Sequence, residues 1–261
     1  FCEEFVEHGG EYLLIDEVHR YKDFAVHLKS VYDVFKNLKI IITGSCATSI
    51  LSAKADLSRR VTLYHLNGFS LREFLEVHYH LNLQRYTLEN ILQNHIDICK
   101  NIIQQIDIQT VWKNYLEFGY YPFFFDKRTN FLQNLLETIN LTLDIDLVSL
   151  GLIEQKYTYK LKKLLEVICA SEPFEVNYTR IAAAAEISRA KLYDYINYLK
   201  NGELINLLEE DTRGIKKIAK PAKIFLNNTN LLYAFCDEQK IGTVRETFFV
   251  NQVQEMYDLQ V

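Results

Sequence analysis

A chain of 261 residues with 49% apolar content is long enough for two domains. Its formal net charge of −5 excludes nucleic-acid binding through overall charge, so any basic footprint has to be local. Five dispersed cysteines without a C-x-x-C pair exclude a zinc ribbon and a disulfide framework. They predict reduced, buried thiols in a cytoplasmic protein, and no apolar run approaches the roughly 18 residues of a membrane span.

Phe1 stands where an initiator methionine is usual, which suggests a fragment that begins inside a domain. Tyr12-Leu13-Leu14-Ile15-Asp16-Glu17 then reads as a buried strand that ends in two carboxylates. This is the Walker B pattern: Asp16 would organise Mg²⁺ and Glu17 would orient an attacking water. No G-x-x-x-x-G-K-[ST] loop precedes it. Phe24, Leu28, Val31 and Phe35 recur on one face of a helix. Ile40-Ile41-Ile42 makes a second strand ending in Thr43-Gly44-Ser45, where Thr43 or Ser45 would sense the γ-phosphate. A short helix around residues 47–53 leads to Arg59 and Arg60, candidates for neutralising charge on a transferred phosphoryl group. Residues 61–66 read as a third strand, Asn67-Gly68 as a turn, and Ser70 with Glu73 as a capping box. The alternation predicts a partial parallel sheet with βαβ units.

From Tyr86 to Leu150 the pattern turns helical, with Ile91, Ile98, Ile102 and Ile106 on related faces. The aromatic stretch 118–125 interrupts it and reads as a packed corner. Leu161, Leu164, Leu165 and Ile168 then mark one helix, Ala182–Ala185 a second, and Ser188 caps a third with Leu192, Ile196 and Leu199 inward. Residues 204–208 and 223–226 read as strands around a loop. Three helices followed by a two-stranded wing have the order of a winged helix. Its third helix offers Arg189, Lys191, Asn197 and Lys200, and the loop offers Arg213, Lys216, Lys217 and Lys220, with Lys223 just beyond. Such a surface would contact duplex DNA through phosphates, or else dock a partner protein. The last residues begin another apolar helix.

Eight strings carry a family resemblance: residues 13–20 (Leu-Leu-Ile-Asp-Glu-Val-His-Arg), 40–45, 56–60, 66–75 (Leu-Asn-Gly-Phe-Ser-Leu-Arg-Glu-Phe-Leu), 115–122 (Tyr-Leu-Glu-Phe-Gly-Tyr-Tyr-Pro), 186–192, 223–228 (Lys-Ile-Phe-Leu-Asn-Asn) and 242–252. In this order they resemble the prokaryotic AAA-superfamily P-loop ATPases whose C-terminal half carries a winged helix and a restriction-nuclease-like domain of unknown function. The resemblance implies ATP and Mg²⁺ as ligands of the parent protein, Asp16 as the Mg²⁺ ligand, Glu17 as the base, and Arg59 or Arg60 as a phosphate-sensing arginine. Glu246 matches a helix glutamate that opens the nuclease-like fold. The implied order is an ATPase core over residues 1–85, a helical lid over 86–154, the winged helix over 155–235 and the start of a truncated nuclease-like domain over 236–261. The fold class is thus α/β, then mainly α. Without a Walker A loop this chain is expected to be inactive alone, and assembly into an oligomer stays open. The alternative is a DNA-binding or protein-interaction module on a vestigial P-loop scaffold.

Overall fold

The computed structural model describes residues 1–18, 21, 23–44, 57, 60–125, 129–149, 151–171, 177–209 and 221–254. The fold is mixed α/β and mostly helical, in two compact units: residues 1–66 with 145–153, and residues 67–144 with 154–261. Among the described residues, no helix is long and apolar enough to cross a membrane.

In the first unit a short helix α1 (Cys2–Glu7) precedes strand β1 (Tyr12–Ile15), helix α2 (Phe24–Val34) and strand β2 (Lys39–Ile42). The strands pair in parallel, with Tyr12 opposite Lys39 and Ile15 opposite Ile42. Side chains alternate across a strand. Leu13, Ile15, Ile40 and Ile42 therefore share one face, and the last three pack on a core of Val18, Phe24, Ala25, Leu28 and Leu57. Each such side chain contributes about 1.5–3 kcal/mol when fully buried. Leu14 and Ile41 lie side by side on the opposite face, 71% and 53% exposed.

One sequence expectation fails here. Residues 61–66 are not a strand: they pair with neither β1 nor β2, and Leu66 is 97% exposed. A segment that pairs with no strand gains no ladder hydrogen bonds, so propensity alone does not make it a strand. The expected helix around residues 47–53 lies outside the described residues.

The second unit begins with α3 (Leu71–Tyr79), which carries the expected capping box: Ser70 Oγ accepts from the Glu73 amide, and the Ser70 amide donates to the Glu73 carboxylate. Helices α4 (Leu88–Gln105) and α5 (Ile108–Asn114) follow, and α5 runs into a π-helical turn, Tyr115–Gly119. No residue of α4 is buried, and its backbone leaves helical geometry at Asn94, between Ile91 and Ile98. After α6 (Phe131–Leu141) and a brief helical turn α7 (Leu147–Ser149, in the first unit), three helices come in succession. These are α8 (Thr158–Ala170), α9 (Tyr178–Ala184) and α10 (Arg189–Asn201), the last capped by Ser188. An antiparallel pair, β3 (Ile205–Glu209) and β4 (Pro221–Leu226), closes against them, β4 on α8 and β3 on α10. The chain continues through α11 (Thr229–Phe235) into α12 (Ile241–Val253). Leu161, Leu164, Leu165, Leu192 and Leu199 are fully enclosed, as their spacing predicts.

The cysteines also depart from expectation. Cys169 and Cys236 form a disulfide, Cys2 is half-buried and Cys99 is exposed; Cys46 lies outside the described residues. Packing of α11 on α8 brings together two thiols 67 residues apart, a proximity that spacing along the chain does not encode.

Candidate functional site at the carboxyl edge of the parallel pair

Because β1 and β2 run parallel and in register, the residues after Ile15 and after Ile42 emerge at the same edge. Thr43 is held there on every polar atom. Its amide donates to Ile15 O at 2.9 Å, and its carbonyl accepts from the Val18 amide at 3.0 Å. Its hydroxyl donates to Asp16 Oδ1 and accepts from the Glu17 amide at 3.4 Å. The segment 16–18 therefore wraps around Thr43. The wrap requires a left-handed backbone at Glu17, φ +54°, which costs a residue with a side chain about 1–2 kcal/mol. Asp16 is exposed and Glu17 half-buried.

The edge thus brings the Asp16 carboxylate to the Thr43 hydroxyl, with Glu17 tied to the same hydroxyl through its backbone amide. This is an all-oxygen donor set of the kind Mg²⁺ takes through one or two carboxylates and retained waters. Of the sequence-predicted candidates, Asp16, Glu17 and Thr43 meet here. Ser45 and Arg59 lie outside the described residues. Arg60 does not join them: it makes a side-on pair with Asp33, Nε to Oδ1 at 3.0 Å and Nη2 to Oδ2 at 3.1 Å. Asp33 is in the last turn of α2, which runs from the carboxyl edge back toward the start of β2. The Arg60 hydrogen bond holds the Asp33 carboxyl below its usual pKa.

In the second unit, α10 exposes Arg189, Lys191, Asn197 and Lys200 while Leu192, Tyr195, Ile196 and Leu199 face inward. Lys191 pairs with Asp194 at 3.5 Å, and Tyr193 stacks on Tyr178 with centroids 5.1 Å apart. Arg213, Lys216, Lys217 and Lys220 lie outside the described residues. Glu246 of α12 pairs with Lys223 of β4 at 3.4 Å.

Sequence reasoning assigned no role to a third group, a buried amide junction. Asn230, wholly enclosed, donates to the carbonyls of Tyr115 and Leu116 at 3.1 and 2.9 Å and accepts from the Tyr120 amide at 2.9 Å. It thereby satisfies backbone groups that the π-helical turn leaves without regular helical partners. Asn227 and Asn206 exchange side-chain and backbone bonds, Asn228 caps α11 and donates to Tyr121 Oη, and Asn251 donates to Asn227 O. Gln252 donates to Tyr115 Oη at 2.9 Å and accepts from the Leu71 amide at 2.9 Å. Burial pushes the Tyr115 phenol's pKa up. Three asparagines within four residues after an apolar strand were the visible signal.

Comparison with known proteins bears on both halves. A family described as AAA domain matches residues 1–75, and a domain of unknown function, DUF8612, matches residues 109–241, just over half of the chain. The chain belongs to the DUF8612 family. The first match supports an AAA-like region around the Asp16–Thr43 edge. The second runs from α5 to the start of α12 and contains Asn206, Asn227, Asn228 and Asn230 of the amide junction. An uncharacterized protein of Methanocaldococcus jannaschii is 26% identical over 219 residues, which cover 81% of this chain and 45% of that protein. The chain therefore spans less than half the length of this relative. No solved structure matches it.

Proposed function

We propose that residues 1–66 carry the Walker B and sensor edge of an AAA-type ATPase, in a protein whose DUF8612 region contains a winged helix. The observation that supports this most is the meeting of Asp16, Glu17 and Thr43 at one edge of adjacent parallel strands. In this reading Asp16, oriented by the Thr43 hydroxyl, holds Mg²⁺, and Glu17 orients the water that attacks the γ-phosphate of ATP. Bound Mg²⁺ supplies charge neutralisation for phosphoryl transfer. The wrap of residues 16–18 around Thr43 holds the Asp16 carboxylate and the backbone that carries Glu17, so no ordering of this turn has to accompany binding. Of the two candidate arginines, Arg59 is the better one for phosphate, since Arg60 is engaged by Asp33.

The test is ATP turnover by the whole protein. Glu17→Gln, which keeps size and hydrogen bonding but removes the base, is expected to lower turnover by about 100-fold or more while ATP binding persists. Unchanged turnover overturns the role of Glu17. The vestigial-scaffold alternative predicts no Mg²⁺-dependent turnover in either form.

For the three helices and the β3–β4 pair, we infer a winged helix that presents Arg189, Lys191 and the loop lysines Lys216 and Lys217 to the phosphates of duplex DNA. The exposed basic side chains of α10 support this reading. Binding should weaken steeply with salt, and Lys216→Ala with Lys217→Ala should flatten that salt dependence. Salt-insensitive binding, or none, favours a partner protein at the same surface.

A further inference from the structure

Cys169 lies one residue before the end of α8, and Cys236 directly follows α11. Their Cα atoms are 5.7 Å apart and their sulfurs are bonded, across 67 residues of chain. Such a separation is ordinary for a disulfide, roughly 4.4–6.8 Å. The surroundings are less ordinary for a purely structural bridge. Both cysteines are half-buried, and both line a cavity of about 640 Å³. That volume is in the range of small-ligand sites, roughly 300–1,000 Å³. Its wall also carries Leu232 and Phe235 from α11, Glu166 from α8, and Lys240 at the entry to α12. Solution thiols cannot reach a disulfide sealed in a core, whereas this one borders an open, mixed apolar and charged space.

The bridge also holds a particular piece of chain. Residues 237–240 are exposed and connect α11 to α12. At the other end of α12 stand Asn251 and Gln252, which complete the buried amide junction. The bond between Cys169 and Cys236 is the covalent tie between this connection and α8.

We propose that Cys169 and Cys236 are a thiol–disulfide exchange site, reached by small thiols and disulfides through the adjoining cavity, whose oxidised state fastens the 236–240 connection to α8. In the reductive direction a small thiolate attacks one Sγ and the sulfur–sulfur bond breaks. The other cysteine leaves as a thiolate and takes a proton, giving a mixed disulfide. A second small thiol attacks that bond, restores the remaining cysteine thiol and departs as the small disulfide. Two electrons pass from two small thiols to the protein. Oxidation is the reverse, with a small disulfide as the acceptor.

The test uses the 261-residue chain with Cys2, Cys46 and Cys99 changed to Ser, equilibrated without denaturant in reduced or in oxidised glutathione and then alkylated. The expected result is two alkylated cysteines in reduced glutathione, none in oxidised glutathione, and recovery of a Cys169–Cys236 linked peptide on proteolysis. Two alkylated cysteines or two glutathione adducts in the oxidised buffer overturn the site; so does reduction that proceeds only after denaturant is added. Hydrogen exchange tests the fastening. Amides 236–243 are expected to exchange about tenfold faster in the reduced chain. In that background Cys169→Ser and, independently, Cys236→Ala should exchange at the fast rate in both buffers. Equal rates in both states of the parent chain overturn the fastening.

Discussion

Glu17 combines a proposed catalytic role with a backbone conformation that favours glycine. Its φ of +54° is what lets the amides of Glu17 and Val18 both reach Thr43. Glu17→Gly removes the penalty and the carboxylate together, whereas Glu17→Ala removes only the carboxylate. Gly is therefore expected to be more stable than Ala at this position by about 1 kcal/mol in urea unfolding, with both equally unable to turn over ATP. Equal stabilities would show that the turn relaxes without cost. Arg60 gives a second measurement at this scale. Because its hydrogen bond lowers the Asp33 pKa, the pair's contribution is fully present above the ordinary carboxylate value of about 4 and is lost as pH falls through the lowered one. In a carboxyl NMR titration Arg60→Gln should move Asp33 up toward the ordinary value; a titration that does not move places the cause elsewhere.

At the level of elements, what the sequence disclosed followed the range of the interactions. The capping box at Ser70 and Glu73, the N-cap at Ser188 and the apolar faces of α2, α8 and α10 are short-range patterns, and each is found where periodicity put it. The parallel pairing of β1 with β2, and so the meeting of Asp16 with Thr43, was legible because the strands are linked by one helix. Residues 61–66 were misread because strand character needs an edge to pair with, which no local pattern reports. The amide junction was invisible for a related reason: Asn230 is 110 residues from the Tyr120 amide it accepts from. That geometry makes a prediction at the π-helical turn. Asn230→Ala strands two carbonyls and an amide in a buried place, at about 1–3 kcal/mol for each unmet group before relaxation. A net loss of about 3 kcal/mol is expected in equilibrium unfolding. Asn230→Asp should lose more at neutral pH, since a carboxylate faces two carbonyl oxygens, and should recover as pH falls and that carboxylate protonates. A loss below about 1 kcal/mol for Ala would mean that water replaces the amide.

On the scale of the whole molecule, the second unit is held by contacts between segments far apart in sequence, and α12 is where several of them end. Val244, Thr247 and Val250 are buried, and Phe248 packs its ring on Trp112 at 4.3 Å. Gln252 bridges Tyr115 Oη and the amide that opens α3. The match to the DUF8612 family stops at residue 241, so a chain ended at Lys240 would retain nearly all of the matched region while losing every one of these contacts. The apolar burial and hydrogen bonds lost amount to something on the order of 5 kcal/mol, comparable with the whole stability of a small domain. Trp112 reports the outcome, since it is the chain's one tryptophan and rests on α12. The chain ended at Lys240 is expected to show red-shifted emission and no cooperative urea transition by that probe. The double variant Asn251→Ala, Gln252→Ala keeps the apolar contacts and should unfold cooperatively, with stability lowered by about 2–3 kcal/mol. A cooperative transition of native size in the shortened chain would show that α12 is an appendage and that the amide junction closes without it.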